Sequence, residues 1–120
     1  MAAVASVGQS VFYKIAGVSG FFAVIAGAYG SHAPSLNKPE AVKYKEVMQT
    51  GNLYHLVHTI VLLAVPFANK PKLVGGIFVT GMTLFSGSCY VVALAQNRKL
   101  GRLAPVGGTL LMAGWLAFLL

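Results

Sequence analysis

Apolar residues gather into four long stretches, near 12–30, 52–68, 73–95 and 103–120, separated by short clusters of Lys, Arg, Asn and Pro. A helix rising ~1.5 Å per residue crosses ~30 Å of hydrocarbon in about 20 residues, so each stretch predicts a membrane-spanning helix. Asn69-Lys70-Pro71-Lys72 is the only break between the second and third, and proline with two lysines there predicts a tight antiparallel turn. Gln96-Asn97-Arg98-Lys99-Leu100-Gly101-Arg102 does the same between the third and fourth. Short connections make sequential neighbours antiparallel, so the expected fold is all-α: an up-down-up-down four-helix bundle occupying residues 1–120 as a single transmembrane domain.

The first connection is longer and patterned. Pro39 suits a helix start and Glu40 suits the positive end of the helix dipole. Ala41, Val42, Tyr44, Val47 and Met48 then interleave with Lys43, Lys45, Glu46 and Gln49. This predicts a short amphipathic helix over 39–50, lying in the headgroup layer and ending near Gly51.

Composition sharpens the picture. Hydrophobic residues make up 57% of the chain and charged residues 9%, against ~45–50% and ~25% in soluble domains. The single cysteine excludes an intramolecular disulfide framework or a thiolate zinc site, and two acidic residues leave no paired-carboxylate catalyst. The net charge of +7 lies in loops rather than on an aromatic-laced basic stripe, so nucleic acid is not an expected partner; membrane lipids are. With four spans, Lys14, Lys70 and Lys72 share one side and Lys38, Lys43, Lys45, Arg98, Lys99 and Arg102 the other. The basic excess places the first and third loops inside. Residues 1–11 carry no Lys or Arg, which fits neither a secretory signal nor an Arg-rich presequence, so the first span is expected to be retained.

In lipid, helices associate through close backbone approach and interhelical hydrogen bonds. Small residues supply the means: Ala16 with Gly20 and Ala23 with Gly27, then Gly30, in the first span; Thr83 with Gly87 in the third; Gly107, Gly114 and Ala113 with Ala117 in the fourth.

The histidines are the candidate chemistry. His32 closes the first span, and His55 and His58 stand three residues apart near the start of the second, with Tyr54 and Thr59 beside them. Three readings stay open: a hydrogen-bonded polar layer completed by backbone carbonyls, Gln49, Asn52 or water; a metal held by His32, His55 and His58; or a haem held by one histidine from each of two helices. Cys89, deep in an apolar run without a cation, reads as packing rather than a reactive thiol. Both glutamates lie in the first loop, which disfavours ion-coupled transport.

Gly27-Ala28-Tyr29-Gly30-Ser31-His32, the run from Gln49 through Tyr54-His55-Leu56-Val57-His58, Leu84-Phe85-Ser86-Gly87-Ser88-Cys89-Tyr90, Pro105-Val106-Gly107-Gly108 and Gly114-Trp115 together resemble the transmembrane protein 256 family, which shares an uncharacterised domain with small bacterial inner-membrane proteins. Ser31 and Ala104 depart from the alanine and threonine usual in that family. The resemblance implies a four-helix integral membrane protein, a mitochondrial inner-membrane setting for animal members, and no catalytic residues or cofactor. It marks His32, Tyr54, His55 and His58 as the candidate polar cluster. The expected function is a non-enzymatic subunit or assembly factor of a membrane complex, partnered by other subunits or by further copies of itself; the alternatives are a histidine-bound metal or haem, or a lipid or quinone held in a cleft beside Tyr54 and Trp115.

Overall fold

A computed structural model describes residues 10–120. The reading of an uncharged, retained N-terminus falls largely on residues 1–9, which lie outside the described residues. Among the described residues four α-helices follow one another: α1 (Val11–His32), α2 (Val42–Ala64), α3 (Pro71–Ala95) and α4 (Ala104–Ala117), each packed on the next in up-down order. Local chemistry sets their limits. Ser10 accepts from the Phe12 amide and caps α1, while Pro71 and Pro105 occupy the first turns of α3 and α4, where a missing N–H costs nothing. α2 gives way to a 3₁₀ turn, Val65–Phe67, at Pro66.

The expected separate interfacial helix is not what forms. After short 3₁₀ turns at Pro34–Leu36 and Pro39–Ala41, α2 starts at Val42 and runs through Gly51 without interruption to Ala64. Glycine weakens an isolated helix and reads as a stop. Here it is the point of closest approach to α3: a Cβ on Gly51 would lie 2.5 Å from Cys89 Cβ. The amphipathic segment is therefore the first part of the second span's own helix.

Among the described residues, three helical stretches are long and apolar enough to cross a membrane: Val11–His32, Pro39–Phe67 with its flanking turns, and Pro71–Ala95. The fourth expected span is a shorter rod. α4 has 14 residues, about 21 Å at the α-helical rise, and the chain continues to Leu120 in turns bonded to Trp115, Leu116 and Ala117 carbonyls.

Two apolar clusters hold the bundle. Near the α1 start, Leu62, Val65, Val74, Phe78 and Leu111 pack together with Ala16; near the opposite end, Ala33, Leu36, Met48 and Ala93 do so. Leu36 anchors the first loop in the second cluster, and Asn37 donates to the Ser31 and Ala33 carbonyls, occupying acceptors that the end of α1 leaves free. Gln96 caps α3 in a left-handed conformation (φ 52°) and donates to Ser35 O at 2.9 Å, so the first and third loops meet at one end of the bundle. Lys38 of the first loop, Lys43 and Lys45 at the start of α2, and Arg98, Lys99 and Arg102 of the third loop lie at that end.

On α1 only Ala16, Ala23 and Gly30 are buried, a seam of one residue every heptad. Gly30 faces Met48, Gly27 faces Asn52 and Gly20 meets Thr59 at an ordinary 3.5 Å. The tightest crossing joins α3 to α4, where a Cβ on Gly107 would stand 2.3 Å from the Phe85 amide nitrogen and 2.9 Å from Gly81 O. Gly114 lies against the Phe78 ring. Gly87, expected among the packing glycines, faces open space instead, as do Gly17 and Gly76. Gly51, Gly75 and Gly81 take close-approach positions that small-residue spacing alone did not single out.

Candidate functional site

Polar groups inside a hydrocarbon medium need internal partners, so the few that α1, α2 and α3 carry should find one another. They form one directed chain. Thr59 spends its only hydroxyl proton on the His55 carbonyl at 2.7 Å, the back-bond a threonine makes within a helix. Its oxygen must then accept from Ser19, 2.6 Å away on α1. Ser19 has thereby used its own proton, so it accepts from His55 Nε2 at 3.0 Å. That places the ring proton on Nε2 and makes Nδ1 an acceptor, served by the Tyr90 hydroxyl of α3 at 2.8 Å. Asn52 completes the seam, donating to Tyr90 Oη at 3.2 Å and to the Ala23 carbonyl at 2.7 Å. It reaches that carbonyl because Gly27, one turn on, has no side chain in the way.

His58 belongs to a second, separate arrangement. Three residues along a helix is a rotation of about 60°, enough to turn His58 from α1 toward α4. Its Nδ1 lies 2.8 Å from the Tyr54 carbonyl, which can only accept, and its Nε2 lies 3.1 Å from Trp115 Nε1, which can only donate. His58 therefore carries its proton on Nδ1, the opposite nitrogen from His55. The ring is buried, stacked on Tyr54 at 5.8 Å and edge-on to Trp115 at 5.9 Å, with Phe78 and Phe118 continuing the aromatic cluster.

The three histidines are thus not brought together. His32 ends α1 as an exposed residue, His55 faces Ser19 and Tyr90, and His58 faces Trp115. Among the described residues no group of three His, Cys, Asp or Glu side chains could share a metal ion, so the His32–His55–His58 ligand set does not assemble. Tyr54 joins His58 but not His55's chain. Among the described residues, every buried side-chain nitrogen or oxygen has a hydrogen-bond partner. Ser86 contributes a further link, donating to Gly51 O at 2.8 Å beside Cys89.

Sequence reasoning missed Ser19 and the partnership of Tyr90. Both stood in plain view as polar side chains inside apolar spans at a depth where only another helix could satisfy them.

Beside Tyr54 and Trp115 the rings pack on one another, His58 lying between them and the Tyr54 and Phe85 centroids standing 4.8 Å apart. A groove of about 530 Å³ lies between α1 and α3, and its inner wall includes His55, Ser19 and Tyr90.

Residues 26–108 match a family model described as "Protein of unknown function (DUF423)". The chain belongs to this DUF423 family of membrane proteins. Its family-matched region contains all of α2 and α3, with Asn52, His55, His58 and Tyr90; Ser19 and Trp115 lie outside it. Among relatives, UPF0382 membrane protein YwdK of Bacillus subtilis is 32% identical over 115 residues, covering 90% of this chain and 92% of that protein. The UPF0382 membrane protein of Haemophilus influenzae is 33% identical over 115 residues, covering 91% and 90%. A fungal relative, UPF0382 membrane protein C1782.12c of Schizosaccharomyces pombe, is 31% identical over 114 residues, covering 89% and 97%. No solved structure matches the DUF423 chain. It is an integral, multi-pass membrane protein.

Proposed function

We propose that this DUF423 protein is a non-enzymatic component that packs against other membrane proteins, as a subunit or assembly factor of a mitochondrial inner-membrane complex. One observation carries the reading. Gly76, Thr80, Thr83 and Gly87 recur at helical spacing along α3; a Cβ at either glycine would meet nothing, and both threonines are exposed. Thr80 and Thr83 turn their hydroxyls back to the Gly76 and Val79 carbonyls, so the strip presented outward is smooth and apolar. A line of small residues facing away from its own bundle suits close approach by a further transmembrane helix.

The resemblance to the transmembrane protein 256 family supports the mitochondrial setting, and six basic residues against three support a matrix location for the first and third loops. His55 and His58 fit a structural role, since both nitrogens of each ring are occupied, His55 by α1 and α3 and His58 by its own helix and α4.

Native gels in mild detergent test the proposal. Comigration with a larger assembly, lost on Gly76→Leu while the helical melt is unchanged, supports it. Migration as a lone chain in every detergent counts against it.

A further inference from the structure

The groove between α1 and α3 has a composition that selects an occupant. Val11, Val18 and Phe22 of α1 and Val79 and Met82 of α3 make its walls, and its α1 side is exposed, so it opens sideways out of the bundle. Its volume, about 530 Å³, falls within the range of small-ligand sites, ~300–1,000 Å³. Lys14 is its only charged residue among the described residues, and it stands one turn from the start of α1, at the membrane-boundary end.

The inner end offers a guest little polar chemistry. His55 Nε2 donates to Ser19, Ser19 to Thr59, Thr59 to a carbonyl and Tyr90 to His55 Nδ1, so each of these protons is already committed. A ligand that needed to bury a polar head there, such as a quinone ring, would have to break that chain. A hydrocarbon tail would not.

We propose that this groove is a binding site for an anionic phospholipid, with one acyl chain lying between α1 and α3 and the phosphate on Lys14. The long Lys14 stem can follow the apolar wall while its ammonium reaches the headgroup level, which sets the chain's direction: head at the α1 start, tail toward Tyr90. The groove shares Thr83 and Gly87 with the outward strip but not Gly76 or Thr80, so Gly76→Leu tests the strip without changing a residue that lines the groove.

The test is native mass spectrometry of the purified full chain with phosphatidylglycerol and phosphatidylcholine of matched acyl chains. One retained lipid is expected, with phosphatidylglycerol preferred about fivefold. Lys14→Gln should abolish the preference but keep retention, and Val18→Trp, a change at an exposed wall position, should abolish retention of both. A phospholipid carrying a diazirine in its acyl chain should crosslink the unmodified protein at Val18, Phe22, Val79 or Met82. Equal retention of both lipids, retention unchanged by Val18→Trp in a normally melting protein, or crosslinks confined to other faces would overturn the site. So would a disulfide between two copies of Val18→Cys, which would give the groove to a second chain.

Discussion

Trp115 Nε1 donates to His58 Nε2 across 3.1 Å, tying α4 to α2 by a bond whose direction is fixed because an indole nitrogen only donates. α4 is the shortest of the helices, and this contact lies beside its aromatic packing on Phe78 and Phe118. Trp115→Phe keeps a ring there but leaves a buried acceptor without its donor. The expected loss is about 1–2 kcal/mol, read from reversible unfolding in mixed micelles. Trp115→Phe with unchanged stability would show the bond to be dispensable.

Gly107 and Gly108 are adjacent yet should respond very differently to alanine. At Gly107 the new Cβ meets the Phe85 backbone at 2.3 Å; at Gly108 it meets Cδ1 of the Phe85 ring at 3.6 Å, an ordinary van der Waals contact. Backbone cannot step aside without moving a helix, so Gly107→Ala is expected to cost more than about 2 kcal/mol, while Gly108→Ala stays within about 0.5 kcal/mol. Thermal melts followed by circular dichroism distinguish them, and equal effects would contradict the crossing.

Gly51 governs access to Cys89. The lone thiol is buried, with its Cβ against Gly51 and Ser86 bonding Gly51 O beside it. Gly51→Ala forces α2 and α3 apart at this point. Maleimide labelling of Cys89 in micelles should be slow in the native protein and at least several-fold faster in the variant. Labelling at equal rates would mean that the two helices do not approach as closely as described.

Gln96 adopts a backbone conformation that glycine adopts more easily, and its side chain makes one exposed hydrogen bond to Ser35 O. A left-handed residue with a Cβ carries about 1–2 kcal/mol of strain, more than an exposed hydrogen bond returns. Gln96→Gly is therefore expected to raise stability by about 0.5–1 kcal/mol. A lower melting temperature would assign the loop contact the larger share.

The spans and turns were legible because they are written in gross polarity: proline and lysine at 69–72 and the Gln96–Arg102 cluster cannot lie in hydrocarbon. Less visible was anything decided by which face of a helix meets which neighbour. Gly51 reads as a stop until Cys89 is placed against it, and Gly87 reads as a contact until α3 is seen to turn it outward. His55 and His58 read as one cluster because three residues put them on one side of α2; the divergence between them is enough for two different neighbours. His32 joined them only on the assumption that a histidine at the end of α1 points inward, and its side chain is exposed instead.

That divergence leaves two neutral rings in one helix with their protons on opposite nitrogens, each ring acting as a bridge to a different helix. Long-range ¹⁵N–¹H correlation spectra of histidine-labelled protein in micelles report the tautomer of each ring directly. The His55 signals should be those of the Nε2–H form, shifting on Tyr90→Phe, and the His58 signals those of the Nδ1–H form, shifting on Trp115→Phe. The same tautomer at both positions, or rapid averaging between forms at either, would contradict it.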